Sequence, residues 1–324
     1  MADPAPPARA AVIARFLAAS PAAGWQGSPM AGDASARRFL RLGGPAGETA
    51  ILMDADPATG EDLAPFLRIA RHLRTAGLAA PAVLAADTGA GLALVEDLGP
   101  NHVTAWLARH PQDEAAIYGA AVDVLVRLQG VPVPEGLARL TPEHGAAMLA
   151  PFFDHFRPGH DADWRARVER AMRGVLAARA PQARTLSLRD FHAENLIWRP
   201  WRAGDDRIGL IDFQDAMETP AEYDLASLLR DARRDVAPDL RARMTERFAQ
   251  AGGRAYAEVE AAVAVLAVQR NLRILGIFSR LAATGKPRYL ALVPRVLAML
   301  REDLRHPALA PLVPLLLPVL GAAP

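Results

Sequence analysis

An α+β fold in two lobes is predicted: a small α/β N-terminal lobe over residues 1–96 and a mainly helical C-terminal lobe over 97–324. Three observations predict it. Short runs in the first lobe alternate polar and apolar residues and are broken by glycine turns. Near residue 97 the period changes from two to about 3.6, with no disordered linker between. From there the helical pattern continues with a single β interruption, at residues 196–211.

The elements follow in chain order. Arg38-Phe39-Leu40-Arg41-Leu42 alternates, Gly43-Gly44-Pro45-Ala46-Gly47 supplies a turn, and residues 49–54 return as a second strand. Thr59-Gly60-Glu61-Asp62 reads as a helix start, with Leu63, Phe66, Leu67, Ala70 and Leu73 at helical spacing and Gly77 as the stop. Strands at 81–86 and 92–95 flank Thr88-Gly89. In the second lobe the periodicity predicts helices at 112–129, 143–156, 162–179, 221–235, 238–251, 256–283 and 286–304. Leu196-Ile197-Trp198 and Ile208-Gly209-Leu210-Ile211, nine residues apart, predict a hairpin inside this helical lobe.

Composition narrows the chemistry. The chain has 324 residues, 51% hydrophobic and 23% charged, as expected of a globular protein with a sizeable core. The balance of 37 basic and 36 acidic residues, 37 − 36 = +1, gives no reason to expect nucleic acid or an anionic membrane as partner. With no cysteine, disulfides, zinc–thiolate sites and cysteine nucleophiles are excluded. Of the basic residues only Lys286 is lysine, leaving 37 − 1 = 36 arginines. The N-terminus lacks the basic and apolar regions of a signal peptide. The apolar stretch from Pro307 onward carries prolines at 307, 311, 314, 318 and 324, so short packed turns are expected there rather than a span. A cytoplasmic enzyme or binding protein is the expectation.

The residues that carry chemistry cluster around the hairpin. Asp190 and Asn195 are spaced D-x4-N before its first strand, and Asp212 ends its second, in Ile211-Asp212-Phe213-Gln214-Asp215. A hairpin between them lets the amide and the carboxylate face one another. Phosphoryl transfer uses this set: an amide oxygen and a carboxylate on Mg²⁺, and a separate carboxylate against the attacking hydroxyl.

With these residues the sequence resembles the aminoglycoside phosphotransferase and choline kinase group of the protein-kinase-like fold, along nearly the whole chain. Gly32 to Phe39, Leu94 to Gly99, Ile211 to Ala216, Tyr223 to Asp231, Leu275 to Leu281 and Lys286 to Leu290 look like the anomeric kinases of N-acetylmuramate and N-acetylglucosamine used in cell-wall recycling. The resemblance implies ATP and Mg²⁺ as cofactors and an α-1-phosphate product. It implies Asp190 as catalytic base and Asn195 and Asp212 as metal ligands. Asp215 then ligands a second metal, orients the acceptor, or caps the following turn. The adenine edge is expected against the backbone where the lobes join, at Glu96 to Leu98. The loop ending at Ser35 is expected to cover the phosphates.

Two departures accompany the resemblance. Leu188 stands where the group usually has a histidine, and the strand Ile51-Leu52-Met53-Asp54 has no lysine for the nucleotide phosphates. Arg37, Arg38 or Arg41 is the candidate replacement, with Arg38 placed among the nucleotide-binding residues. Arg230 is either an acceptor contact or half of a surface ion pair. Gln269, Arg273 and Arg280 are polar marks on an apolar helix, and an arginine there can meet sugar hydroxyls or a lactyl carboxylate, or snorkel to solvent. His192 is read as a packing histidine. The alternatives to an amino-sugar kinase are a kinase of an aminoglycoside, choline or another sugar, and a nucleotide-binding pseudokinase scaffold.

Overall fold

A computed structural model describes residues 7–30, 36–180 and 185–321. The chain divides into two compact units. The first takes the described residues of Met1–Asn101 with Ile197–Asp215, and the second those of His102–Leu196 with Ala216–Pro324.

The first unit opens with α1 (Pro7–Ala18), β1 (Gln26–Pro29), β2 (Arg38–Gly43) and β3 (Thr49–Asp54), followed by α2 (Ala64–Thr75), β4 (Val83–Asp87) and β5 (Leu92–Glu96). The five strands form one antiparallel sheet in the order β1-β2-β3-β5-β4. The register sets Leu40 opposite Leu52, Leu42 opposite Ala50, and Leu52 opposite Leu94. Because side chains alternate across a strand, these even-numbered residues share one face. Leu42, Ala50, Leu52, Leu92 and Leu94 are buried together there, and Val12, Ile13, Phe16 and Leu17 of α1 pack against them. That spacing is one face of a helix. Helix α1, absent from the sequence-based expectation, is thus held by the sheet it covers. Helix α2 buries the expected Phe66, Leu67, Ala70 and Leu73 and also Ile69, with Leu63 buried just before it, and the Asp62 carboxylate accepts from the Ala64 N–H at 2.9 Å at its start.

The second unit begins with α3 (Val103–Leu107), α4 (Glu114–Leu128), α5 (Pro142–Ala147) and α6 (Ala162–Arg179). After strand β6 (Thr185–Ser187) the chain passes into β7 (Leu196–Trp198) and β8 (Ile208–Leu210), a pair that lies from Ile197 in the first unit, and β9 (Met217–Thr219) returns to pair with β6. Helices α7 (Glu222–Leu229), α8 (Pro238–Ala251), α9 (Tyr256–Ala283), α10 (Val293–Asp303) and α11 (Val313–Leu320) complete the chain.

From Ile197 onward the β7–β8 hairpin belongs to the first unit, which corrects the expectation that it is embedded in the helical lobe. Trp198 N–H donates to Asn101 O at 2.8 Å and Leu210 N–H to Ala79 O at 2.9 Å. A Cβ on Gly209 would stand 2.9 Å from Leu98 Cδ1, so Leu98 packs where a larger residue would push its side chain aside.

Helices α4, α6, α8 and α9 lie where periodicity predicts them. Residues 143–156 instead form α5 and a π-helical turn at Phe152–Phe156. Pro151 lacks the amide that a continuous helix would use. Helix α7 stops at Leu229, where residues up to 235 were expected to be helical; Asp231 takes the Arg233 N–H at 2.8 Å, a local bond that competes with the helix. Residues 286–304 open with a 3₁₀ turn at Pro287–Leu292 before α10. Helix α9 is long and apolar enough to cross a membrane, yet 78% of its most apolar window is buried inside the fold. It lies against the π-helical turn because residue 276 is glycine: a Cβ there would stand 2.0 Å from the Pro151 carbonyl carbon. The proline-rich end forms the expected short turns, with Leu309, Leu312, Leu316 and Leu320 buried.

Candidate active site

In the second unit the chain leaves β6 and is gripped by α7. The buried Asp224 carboxylate accepts from Ser187 Oγ at 2.8 Å, Leu188 N–H at 2.7 Å and Arg189 N–H at 3.0 Å. Arg189 has φ of 71°, a left-handed conformation that costs a non-glycine residue about 1–2 kcal/mol. The bonds to Asp224 offset that cost and fix the backbone immediately before Asp190.

Burial raises the Asp224 carboxyl to about 6, against the opposing pull of the Ser187 and Leu188 bonds and Arg270. A folded-state value above the ordinary 3.8 means that folding favours the protonated form. Its stabilising contribution is complete below that ordinary value and is lost as pH rises through about 6. Relative to Asp224→Asn, the wild type is expected to lose up to about 3 kcal/mol between pH 4 and 7 in denaturant melts. A constant difference between the two proteins over that range would contradict this.

Helix α9 supplies the second grip. The buried Arg270 guanidinium donates from Nη1 to Arg189 O at 2.8 Å and from Nη2 to Ser227 Oγ at 2.6 Å, and lies over the Tyr223 ring at 5.0 Å. The same Nη2 is 3.8 Å from Asp190 Oδ1. Burial works against charge on Asp190, but Arg270, Arg189, His192 and Arg273 outweigh it and hold the carboxyl below its ordinary range. Half-buried Asp190 is therefore ionised at neutral pH.

Asn195 ends the 3₁₀ turn Ala193–Asn195, and its Nδ2 donates to the Asp190 carbonyl at 3.0 Å. The nitrogen being so used, Oδ1 is the atom this side chain can offer a hard cation. His192 is buried, its Nε2 3.4 Å from Asn195 Nδ2 and from Arg233 Nη1, and burial lowers its pKa. It is a packing group, as expected from the sequence. Arg233 pairs with Glu194 at 2.7 Å. The structure thus brings Asp190 and Asn195 together in one unit, and adds Arg270. Arg270 was passed over in the sequence, although an arginine on an otherwise buried helix face was the available signal.

Asp212 and Asp215 belong to the first unit, exposed on either side of buried Phe213, which stacks on Phe66 of α2 at 5.2 Å between ring centroids. Asp212 has φ of 60° and its Oδ1 accepts from Gln214 Nε2 at 2.8 Å. Among the described residues only Arg189 and Asp212 are non-glycine with positive φ. Such strain gathers at functional sites. Here it marks both signature segments.

The remaining nucleotide-side candidates also lie in the first unit. Ser35 and the loop at 32–35 fall outside the described residues. Arg38 donates to Asp54 Oδ2 at 2.7 Å, and Arg9, not singled out in the sequence, donates to Asp54 Oδ1 at 2.9 Å. Arg37 pairs with Glu61 and Arg41 with Asp97, both at 2.8 Å. Each of the three candidate arginines therefore holds a carboxylate. Glu96 accepts from Ala82 N–H at 3.1 Å and Arg74 at 3.2 Å, while Leu98 is buried against Gly209. In the second unit Arg230 pairs with Glu302 at 3.0 Å and with buried Asp303, both from the helix α10. Among the described residues no group of three or more His, Asp or Glu is gathered as a metal cluster.

Residues 26–262 match the phosphotransferase enzyme family. The chain belongs to that family. It is an enzyme that moves a phosphoryl group to an alcohol acceptor. Curated relatives include an N-acetylmuramate/N-acetylglucosamine kinase of Caulobacter vibrioides, 36% identical over 94% of each chain. Another, of the same name, from Pseudomonas aeruginosa is 31% identical over 89% of this chain and 87% of its own. Among solved structures, a choline/ethanolamine kinase family protein from Mesorhizobium loti superposes with a TM-score of 0.66 at 18% identity, covering 95% of this chain and 98% of that one. An amicoumacin kinase solved with AMP-PNP and Ca²⁺ gives 0.63 at 15% identity, covering 91% and 95%. These likenesses give the phosphotransferase its protein-kinase-like α+β fold.

Proposed function

We propose that this phosphotransferase carries the γ-phosphate of ATP to the anomeric hydroxyl of N-acetylmuramate and N-acetylglucosamine, giving the α-1-phosphate for cell-wall recycling in the cytoplasm. The observation that carries the acceptor is the agreement of four curated relatives on one pair of sugars, over between 86% and 94% of this chain. In this reading the lobes are 1–96 for the nucleotide and 97–324 for catalysis and acceptor. Mg²⁺·ATP supplies the transferable phosphoryl group and neutralises its oxygens. Asn195 Oδ1 and the Asp212 carboxylate are oxygen donors of the kind Mg²⁺ prefers, and the proposal assigns them to it. Asp215 is the candidate for a second metal or the acceptor.

Asp190 positions the sugar hydroxyl and accepts its proton. A loose transition state develops little charge on the nucleophile, so a weakly basic carboxylate suffices when the hydroxyl is well placed. Arg270 and Asp224 hold that placement through the backbone of residues 188 and 189. The backbone at Glu96 to Leu98 is assigned to the adenine edge: among the described residues the Leu98 N–H takes no backbone partner. Ser35 and Arg38 are assigned to the phosphates, Arg38 acting with Arg9 as a pair of guanidiniums around one buried carboxylate.

Choline or an aminoglycoside fits this site less well. Arg189, Arg270 and Arg273 all act on the Asp190 carboxyl, and their charge would repel an ammonium acceptor. The test is an acceptor panel with ATP and Mg²⁺, read by phosphorus NMR. A sugar-1-phosphate resonance with either sugar is expected. Transfer only to choline or an aminoglycoside would overturn the proposal, and ATP binding with no transfer would favour a scaffold.

A further inference from the structure

Helix α9 carries a second arginine one turn beyond Arg270. Residues three and four apart share a helix face, and here that face runs from buried Arg270 through half-buried Arg273, Ile274 and Ile277. Arg270 spends its donors on Arg189 O, Ser227 and Asp190. Arg273 spends none: among the described residues it makes no hydrogen bond and no ion pair. Its electrostatic neighbours are Arg189, Tyr223, Asp190 and Arg270. Three guanidiniums, of Arg189, Arg270 and Arg273, therefore act on the single carboxyl of Asp190. A half-buried guanidinium with no hydrogen-bonded partner is costly until an acceptor for its donors arrives.

We propose that Arg273 binds a carboxylate on the acceptor, and so selects N-acetylmuramate, whose lactyl ether bears one, over N-acetylglucosamine, which has none. The planar guanidinium fork matches a carboxylate with two parallel bonds, while Ile274 and Ile277 offer an apolar strip for the lactyl methyl and ring carbons. The inference rests on the sugar-kinase reading above. The other anion near Asp190 is the transferring phosphate, which is common to both sugars, and that difference supplies the test.

The experiment compares kcat/KM for the two sugars in the wild type, Arg273→Met and Arg273→Lys, with melting midpoints to confirm folding. The ratio of N-acetylmuramate to N-acetylglucosamine efficiency is expected to fall on the order of ten- to a hundredfold in Arg273→Met, through KM, and to recover partly in Arg273→Lys. Equal losses with both sugars would assign Arg273 to the phosphate and overturn the inference. An unchanged ratio would overturn it as well. A wild type that phosphorylates neither sugar would instead refute the acceptor assignment itself, and this inference with it.

Discussion

Asp190→Asn is expected to lower kcat by about 10²- to 10⁴-fold, the usual contribution of a positioned general base. The KM for ATP should stay within about threefold, because the replaced group meets the acceptor and not the nucleotide. Asparagine keeps the size and one acceptor oxygen of aspartate but cannot take the proton of the attacking hydroxyl. The loop should survive the change. Arg270 holds it through Arg189 O and Ser227 Oγ, and Asp224 through Leu188 N–H and Arg189 N–H, none of which involves the Asp190 side chain. A kcat drop with an unaltered melting midpoint would separate chemistry from folding. In the wild type the arginines hold the Asp190 carboxyl below its ordinary 3.8, so protonation of the base removes activity only below that pH. Asp190→Asn retaining kcat within about threefold of wild type would remove Asp190 from the mechanism.

How far this arrangement could be read from sequence depends on where each interaction lies along the chain. Asp190 and Asn195 are five residues apart, and the bond from Asn195 Nδ2 to the Asp190 carbonyl is local, so their spacing carried the information. The long helices were legible for a similar reason: α6, α8 and α9 repeat an apolar face over several turns. Local competition was less visible. Helix α7 ends early because the Asp231 side chain bonds the Arg233 amide, and the helix expected at 143–156 is parted before Pro151. Long-range contacts were not legible at all. Arg270 reaches a carbonyl 81 residues earlier, and Arg9 reaches Asp54 across 45 residues. Among 36 arginines, composition does not distinguish a buried one that holds a catalytic loop from one that snorkels. The same limit applied to Arg37, Arg38 and Arg41. Alternation placed them on strand and turn, but their partners Glu61, Asp54 and Asp97 emerge only from the fold.

Arg270→Met should therefore be the most damaging substitution outside the reacting groups. It leaves the Arg189 carbonyl and Ser227 hydroxyl without their buried donor and removes the cation nearest Asp190. Breaking such a buried charged network costs about 3–5 kcal/mol, readable as a lowered denaturation midpoint. Losing the tie to residue 189 also frees the backbone that precedes the base. A displacement of the order of 1 Å in the nucleophile's position lowers kcat by about 10²-fold. The two consequences have different signatures. With the principal opposing charge gone, burial acts on Asp190 with less resistance, so its carboxyl rises and the acid limb of the pH–rate profile moves to higher pH. Arg270→Lys restores a point charge but not the fork that spans Arg189 O and Ser227 Oγ. It is expected to return the acid limb toward its wild-type position while recovering only part of kcat. If lysine restored both fully, charge alone would account for Arg270; if methionine shifted neither kcat nor the acid limb, the loop would be held by Asp224 alone.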